Sequence, residues 1–217
     1  MEPNALVIMF KVPEPGTVKT RLVPPLSYEE ASGLYTCFLE DIFEKVSRLR
    51  DVRLYAAYTP EWAEEKVSGI MPDTIEAFAQ EGGDLGERMY NAFLRLFEKG
   101  HKKVSLIGSD SPDMPMEFIE ESFRLLDPAR VVLGPAVDGG YYLIAMNELM
   151  AAPFINMRWS NDAVFKETVR RLGEKSVRYE LLKPWHDIDR VEDLPLLKEN
   201  NGAPRSYEFL KALRILL

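Results

Sequence analysis

Short apolar runs alternate along this chain with longer stretches of helical period, and that alternation is the pattern of a mainly parallel sheet flanked by helices. Strands are predicted near residues 4–10, 52–58, 74–78, 103–108, 130–135, 141–146 and 176–181. Between the first two, Ser27 and Glu30 read as a capping box ahead of Ala31, Leu34, Phe38, Ile42, Val46 and Leu49, which are spaced by threes and fours. Asp84 and Glu87 announce a second helix with Leu85, Met89, Ala92, Phe93 and Leu96 on one face. Pro115 to Leu126 and Ser160 to Leu172 read as a third and a fourth, with Ser160 as cap. After Asn200-Asn201-Gly202-Ala203-Pro204 the pattern restarts as a final amphipathic helix, compatible with docking on its own domain or on a second subunit of a homodimer.

The 217 residues, 46% of them hydrophobic, are enough for a substantial core, and one domain over residues 1–217 is expected. No apolar run approaches the roughly 18 residues that span a bilayer, and Met1-Glu2-Pro3-Asn4 lacks the design of a secretory signal, so a cytoplasmic protein without a membrane partner is expected. The single cysteine, Cys37, has no internal disulfide partner and reads as a small core residue among Leu34, Phe38 and Leu39. A formal charge of −8 argues against a general nucleic-acid partner.

Against that acidic background the segment Lys11 to Leu22, directly after the first apolar run, concentrates Lys11, Lys19 and Arg21 with Pro13, Pro15 and Gly16. Prolines deny hydrogens to a ladder, the glycine permits a tight turn, and the cations are left to meet an anion such as a nucleotide's phosphates. The segment matches neither the Walker pattern nor the dinucleotide fingerprint, and a solvated basic turn is the alternative.

In open α/β sheets ligands bind beyond the carboxyl ends of strands, which directs attention to three further segments. Gly108-Ser109-Asp110-Ser111-Pro112-Asp113 offers Asp110 as a ligand for a hard cation, which takes one or two carboxylates plus substrate phosphates. Asp187 and Asp189 offer a second carboxylate; on an extended segment both face one side and Ile188 the other. Asp113 and Asp187 are alternatively helix caps. Asp138-Gly139-Gly140 reads as a hairpin turn or as backbone that admits a sugar or base, and Gly82-Gly83 before Asp84 raises the same choice. Trp159, Trp185 and His186 are acceptor-side candidates, with His186 read as structural before it is read as a base.

Five stretches in order then carry a resemblance: Lys11-x-Pro-x-Pro-Gly-x-Val-Lys-Thr-Arg-Leu22, Gly83-Asp-Leu-Gly-Glu-Arg-Met89, Gly108-Ser-Asp-Ser-Pro112, Gly134-Pro-Ala-x-Asp-Gly-Gly-Tyr-Tyr-Leu-Ile144 and Asp187-x-Asp-x-x-Glu-Asp-Leu194. Together they resemble the glycosyltransferase-A-like nucleotide-diphospho-sugar transferase superfamily, in its bacterial and archaeal branch of arsenosugar-associated and uncharacterised glycosyltransferases. The first loop is also similar to that of archaeal phospholactate guanylyltransferases. The resemblance implies an α/β, Rossmann-like GT-A fold with a mainly parallel mixed sheet and helices on both faces, its residues 1–110 binding the nucleotide and 111–217 the acceptor.

It further implies Asp110 as metal-binding carboxylate, with Asp189 preferred over Asp187 as the second ligand of Mg²⁺ or Mn²⁺. Catalytic candidates are then Asp110, Lys19 and Arg21, and nucleotide-binding candidates Lys11, Pro13, Gly16, Lys19, Arg21, Gln80, Gly83, Asp84 and Ser109. Acceptor or sugar candidates are Asp138, Gly139, Gly140, Trp159 and Ser160. The expected activity is sugar transfer from a nucleotide-diphospho-sugar to a small-molecule acceptor. Nucleotidyl transfer from an NTP with release of pyrophosphate is the alternative, and a nucleotide-binding module without catalysis is a third reading.

Overall fold

A computed structural model, describing residues 4–159, 162–199 and 202–215, gathers seven strands into one sheet. They are β1 (Asn4–Lys11), β2 (Val52–Thr59), β3 (Glu76–Ala79), β4 (Lys103–Ile107), β5 (Val131–Pro135), β6 (Tyr141–Met146) and β7 (Tyr179–Leu181), in the spatial order β3-β2-β1-β4-β6-β5-β7. Neighbouring strands are parallel except at β6, which runs antiparallel to both β4 and β5. Among the described residues the helices are α1 (Tyr28–Val46), α2 (Glu64–Val67), α3 (Leu85–Glu98), α4 (Met116–Leu125), α5 (Val164–Glu174), α6 (Leu194–Glu199) and α7 (Pro204–Ala212).

The run Ala5–Phe10 is buried throughout, and its successive residues serve opposite faces of the sheet. Leu6, Ile8 and Phe10 pack with Leu34 and Phe38 of α1, Ile119 of α4 and Leu210 of α7. Ala5, Val7 and Met9 pack with Phe93 and Leu96 of α3 and Leu172 of α5. Both faces are therefore covered, which is why this strand reads as an unbroken apolar run. The expected α/β class with a mainly parallel mixed sheet is what the chain adopts.

The local signals that set the helix starts operate nearly as read. Ser27 Oγ accepts from Glu30 N at 3.1 Å while the Glu30 carboxylate accepts from Ser27 N at 2.7 Å. Asp84 accepts from Glu87 N at 2.9 Å, but the Glu87 carboxylate turns to Gly83 N at 2.8 Å rather than to the cap residue itself. At the far end, Asp41 of α1 accepts from Arg205 N, Ser206 N and Ser206 Oγ at 3.0, 2.9 and 2.6 Å, and so caps α7 from a neighbouring helix. A Cβ on Gly33 would come within 2.9 Å of the Phe209 ring. The last helix thus docks on its own chain.

Four expectations need correction. β7 begins at Tyr179 rather than 176, because Ser176 takes a left-handed φ of 53° and Val177 N bonds to Leu172 O at 2.9 Å, closing off α5. β3 begins at Glu76, after a turn closed by Ile75 N to Pro72 O at 3.0 Å. α5 starts at Val164, and its expected cap Ser160 lies outside the described residues. Cys37 is half-buried rather than core, since helical spacing puts it on the flank of α1 with Gly33 and Glu40; burial first, then Glu40 and Asp41, push its thiol up to about 11. Two short helical pieces, Glu61–Val67 and Val191–Glu199, have too few apolar repeats to be read from sequence.

Candidate active site

Because β1, β4, β5 and β7 all run the same way, their carboxyl ends meet at one edge of the sheet, and the β5–β6 turn joins them there. The loop after β1 is fixed by Val12 N to Thr59 O at 2.8 Å and by the buried side chains of Val18 and Leu22. Within it, Gly16 takes a φ of 78° in the turn that Thr17 N closes on Glu14 O at 3.0 Å. Lys19 also takes a left-handed conformation, φ 47° and ψ 35°, which side-chain-bearing residues seldom adopt.

That backbone sends the Lys19 side chain inward, where it is 3% exposed. Its Nζ donates to Asp110 Oδ1 at 2.5 Å, Asp189 Oδ1 at 2.8 Å and the Ile188 carbonyl at 2.8 Å. The rings of Tyr35 and Phe38 lie 5.8 and 5.3 Å from the same nitrogen. Burial works against the ammonium's charge, but Asp110 and Asp189 outweigh it and hold Lys19 protonated well above the ordinary lysine range. Burial likewise opposes ionisation of Asp189, yet Lys19 and then Arg21 keep its carboxyl below the ordinary range. Arg21 stands 65% exposed, 3.8 Å from Asp189.

The segment carrying Asp189 is tied to the Asp110 loop by Ile188 N to Asp110 O at 2.8 Å. Ile188 is fully buried while Asp187 and Asp189 are only half-buried, as extended alternation requires. Asp187 accepts from Ser111 Oγ at 2.6 Å, and burial pushes its carboxyl up to about 7, with Asp110, Asp138 and Asp189 adding to the rise. Asp113, buried, pairs with His186 Nε2 at 2.8 Å and accepts from Trp185 Nε1 at 3.3 Å. The cap position of α4 is Pro115, without a side-chain cap bond, and Asp193 serves the turn after Asp189. The Asp113 pair raises the His186 pKa above its usual value.

Of the candidates, the structure brings together Lys19, Asp110 and Asp189, with Arg21, Asp187 and Ser109 alongside. Ser109 Oγ shares a 2.6 Å bond with the Tyr35 hydroxyl, which also accepts from Lys11 N at 3.3 Å. Lys11 Nζ is turned onto Thr17 O at 3.1 Å, and Pro13 lies half-buried in the same loop. Gln80 is committed elsewhere: its amide nitrogen donates to Phe10 O at 3.1 Å and Ala57 O at 2.8 Å, tying the ends of β1 and β2. Gly83 and Asp84 are engaged at the start of α3.

On the other side, Asp138 accepts from Gly140 N at 2.9 Å, the hairpin-turn reading of this segment. At Gly139 the φ is 95° and a Cβ would lie 2.2 Å from Asp162 O, so the glycine permits close packing of the chain on itself. Trp159 packs against Gly86, where a Cβ would meet its ring at 2.7 Å, and its buried indole NH has no hydrogen-bond partner among the described residues. Ser160 lies outside the described residues.

Among the described residues no group of three or more His, Cys, Asp or Glu is arranged to hold a metal. The donor set that does fit is the pair Asp110 and Asp189, 47% and 38% exposed, whose Oδ1 atoms already converge on one positive charge. Two hard carboxylate oxygens with an open side suit an Mg²⁺-type ion that completes its shell with phosphate and water. Sequence reasoning missed Tyr35, Phe38, Ser111 and the Ile188 carbonyl around this pair. Tyr35 and Phe38 belong to the apolar stripe of α1, and helical spacing signals only that they are buried.

The profile of a family described as uncharacterised proteins conserved in bacteria (DUF2064) matches residues 42–161. No curated protein matches the sequence. Among solved structures, a protein from Desulfovibrio desulfuricans G20, provisionally assigned as a nucleotide-diphospho-sugar transferase, has a TM-score of 0.90 at 31% identity over 98% of this chain and 97% of its own. The 4-diphosphocytidyl-2C-methyl-D-erythritol synthase of Anaerococcus prevotii DSM 20548 shares the fold, with a TM-score of 0.55 at 10% identity over 83% of this chain and 86% of its own. So does a CMP:2-keto-3-deoxy-manno-octonic acid synthetase solved with CTP, at a TM-score of 0.57 and 10% identity over 94% of this chain and 99% of its own.

Proposed function

The chain belongs to the DUF2064 family of uncharacterised bacterial proteins, within the nucleotide-diphospho-sugar transferase superfamily, and we propose that it is a divalent-metal-dependent glycosyltransferase using a nucleotide-diphospho-sugar. The observation that carries this reading is the convergence of two half-exposed carboxylates, Asp110 and Asp189, on Lys19 beside a cationic loop at the carboxyl edge of the sheet. Lysine and arginine donate charge-assisted hydrogen bonds to phosphate, and paired carboxylates hold the ion that accompanies it.

In this reading Asp110 and Asp189 hold Mg²⁺ or Mn²⁺, and Lys19 and Arg21 bind the diphosphate. The bound ion would supply Lewis-acid stabilisation of charge on the departing diphosphate. An acceptor hydroxyl forms a bond to the anomeric carbon as the bond from that carbon to the phosphate oxygen breaks, and the hydroxyl proton is released with the nucleoside diphosphate. Once turned to the diphosphate, cations held against the leaving group reorganise little as its charge grows, which is how such sites accelerate transfer. The nucleotide half corresponds to residues 1–110 and the acceptor half to 111–217.

A second reading, nucleotidyl transfer, is favoured by one observation: the loop after β1 carries three cations, Lys11, Lys19 and Arg21, which suit a triphosphate. There a substrate phosphate attacks the α-phosphorus and pyrophosphate leaves. Incubation with a panel of nucleotide-sugars and NTPs in Mg²⁺ or Mn²⁺ separates the two. Release of nucleoside diphosphate, lost in Asp110→Ala, supports sugar transfer; pyrophosphate release supports the second reading. Absence of either from all pairs tested with acceptors refutes both.

A further inference from the structure

Resting on the reading of Asp110 and Asp189 as the divalent-ion pair, we propose that Lys19 is a built-in counter-cation. It occupies the ion's position in the ligand-free protein and gives it up when phosphate draws the ammonium away. The Nζ sits 2.5 Å from one carboxylate, 2.8 Å from the other and 2.8 Å from a backbone carbonyl, an all-oxygen surrounding of the kind a hard cation takes. A divalent ion bound to the same two Oδ1 atoms would meet a like charge already there, so ion and ammonium exclude one another.

The way Lys19 is mounted shows how the exchange occurs. Val18 and Leu22 are buried on either side of it, so the loop itself is pinned and only the four-carbon stem is free to rotate. Tyr35 and Phe38 present their rings to the ammonium within 6 Å, whereas Asp110, Asp189 and the largely exposed Arg21 border solvent. A phosphate arriving from that side meets Arg21 and offers Lys19 replacement oxygens. Rotation toward it vacates both carboxylates for the divalent ion. Nucleotide and ion then bind with mutual reinforcement, and by reciprocity each binds weakly alone.

Mn²⁺ alone tests the exchange, with the free ion read by electron paramagnetic resonance. Lys19→Met removes the charge at similar length and is expected to bind one Mn²⁺ at least tenfold more tightly than wild type. Lys19→Arg retains the charge and is expected to bind as weakly as wild type. In Lys19→Met/Asp110→Asn the gain is expected to vanish. Melting temperatures in EDTA and in Mn²⁺ provide a second readout: Lys19→Met should be raised by Mn²⁺ far more than wild type. If Lys19→Met does not fold, Lys19→Gln takes its place with the same expectations.

Equal Mn²⁺ affinity in wild type and in the neutral variants overturns the proposal, as does a gain that survives Asp110→Asn. A tenfold gain in a protein that turns over no nucleotide keeps the counter-cation and discards the transferase. Asp110-dependent turnover without the gain does the reverse.

Discussion

Replacing Asp187 by Asn is expected to stabilise the metal-free protein, and by an amount that depends on pH. Burial raises the Asp187 carboxyl from 3.8 to about 7, so between those values the native state keeps a proton that the unfolded chain releases. Native protein binds more protons than unfolded protein in that window, and stability falls as pH rises through it. One unit is worth about 1.4 kcal/mol, which sets a ceiling of about 4 kcal/mol at pH 8. Asp187 is only half-buried, water screens it, and about half of the ceiling, roughly 2 kcal/mol, is expected. Asn is neutral at every pH and can still accept from Ser111, so it escapes this penalty. Urea denaturation in EDTA from pH 5 to 8 measures the difference. The variant should gain about 2 kcal/mol at pH 8 and less than about 1 kcal/mol at pH 5. No gain at pH 8, or a gain that does not shrink on acidification, would refute the reasoning.

Three further outcomes follow from particular contacts. Asp41→Ala removes the acceptor of three bonds that start α7 and strands the buried Ser206 hydroxyl; a loss of about 3 kcal/mol is expected, seen as a fall of about 6–12 °C in melting temperature. Gly139→Ala forces a Cβ to 2.2 Å from Asp162 O at a positive φ, and about 2–4 kcal/mol of destabilisation is expected in urea, with Gly140→Ala, whose nearest contact is 3.3 Å, costing less. His186 is held protonated by Asp113, so its stabilisation is complete below pH 6.5 and lost as pH rises through its raised folded value; the stability difference between wild type and His186→Gln should be larger at pH 6 than at pH 9.

The parts of the fold legible in the sequence are those set by neighbours in the chain. The Ala5–Phe10 run, the Ser27–Glu30 box and the Asp84 cap each involve residues within a few positions of one another, and each forms. The loop after β1 was legible as cationic and wrong-looking for a core, yet Lys19 is among the least exposed side chains there. Its burial depends on partners 91 and 170 positions away and on a left-handed backbone that no motif announces. Gln80 shows the same limit from the other side: its amide nitrogen donates to two strand-end carbonyls, a pairing that nothing in its neighbourhood announces. The Asp113–His186 pair joins residues 73 positions apart, and neither flank marks the other. Long-range pairing of polar groups, unlike apolar periodicity, leaves no period in the chain to read.

Calorimetric titration of nucleotide-sugars and NTPs into wild type and Asp110→Asn, with Mn²⁺ and in EDTA, tests the central claim most directly. At least one nucleotide is expected to bind wild type in Mn²⁺ and to lose tenfold or more in affinity in EDTA, with Asp110→Asn equally weak in both. Nucleotide binding that ignores both the ion and Asp110, or no nucleotide binding at all, would contradict it.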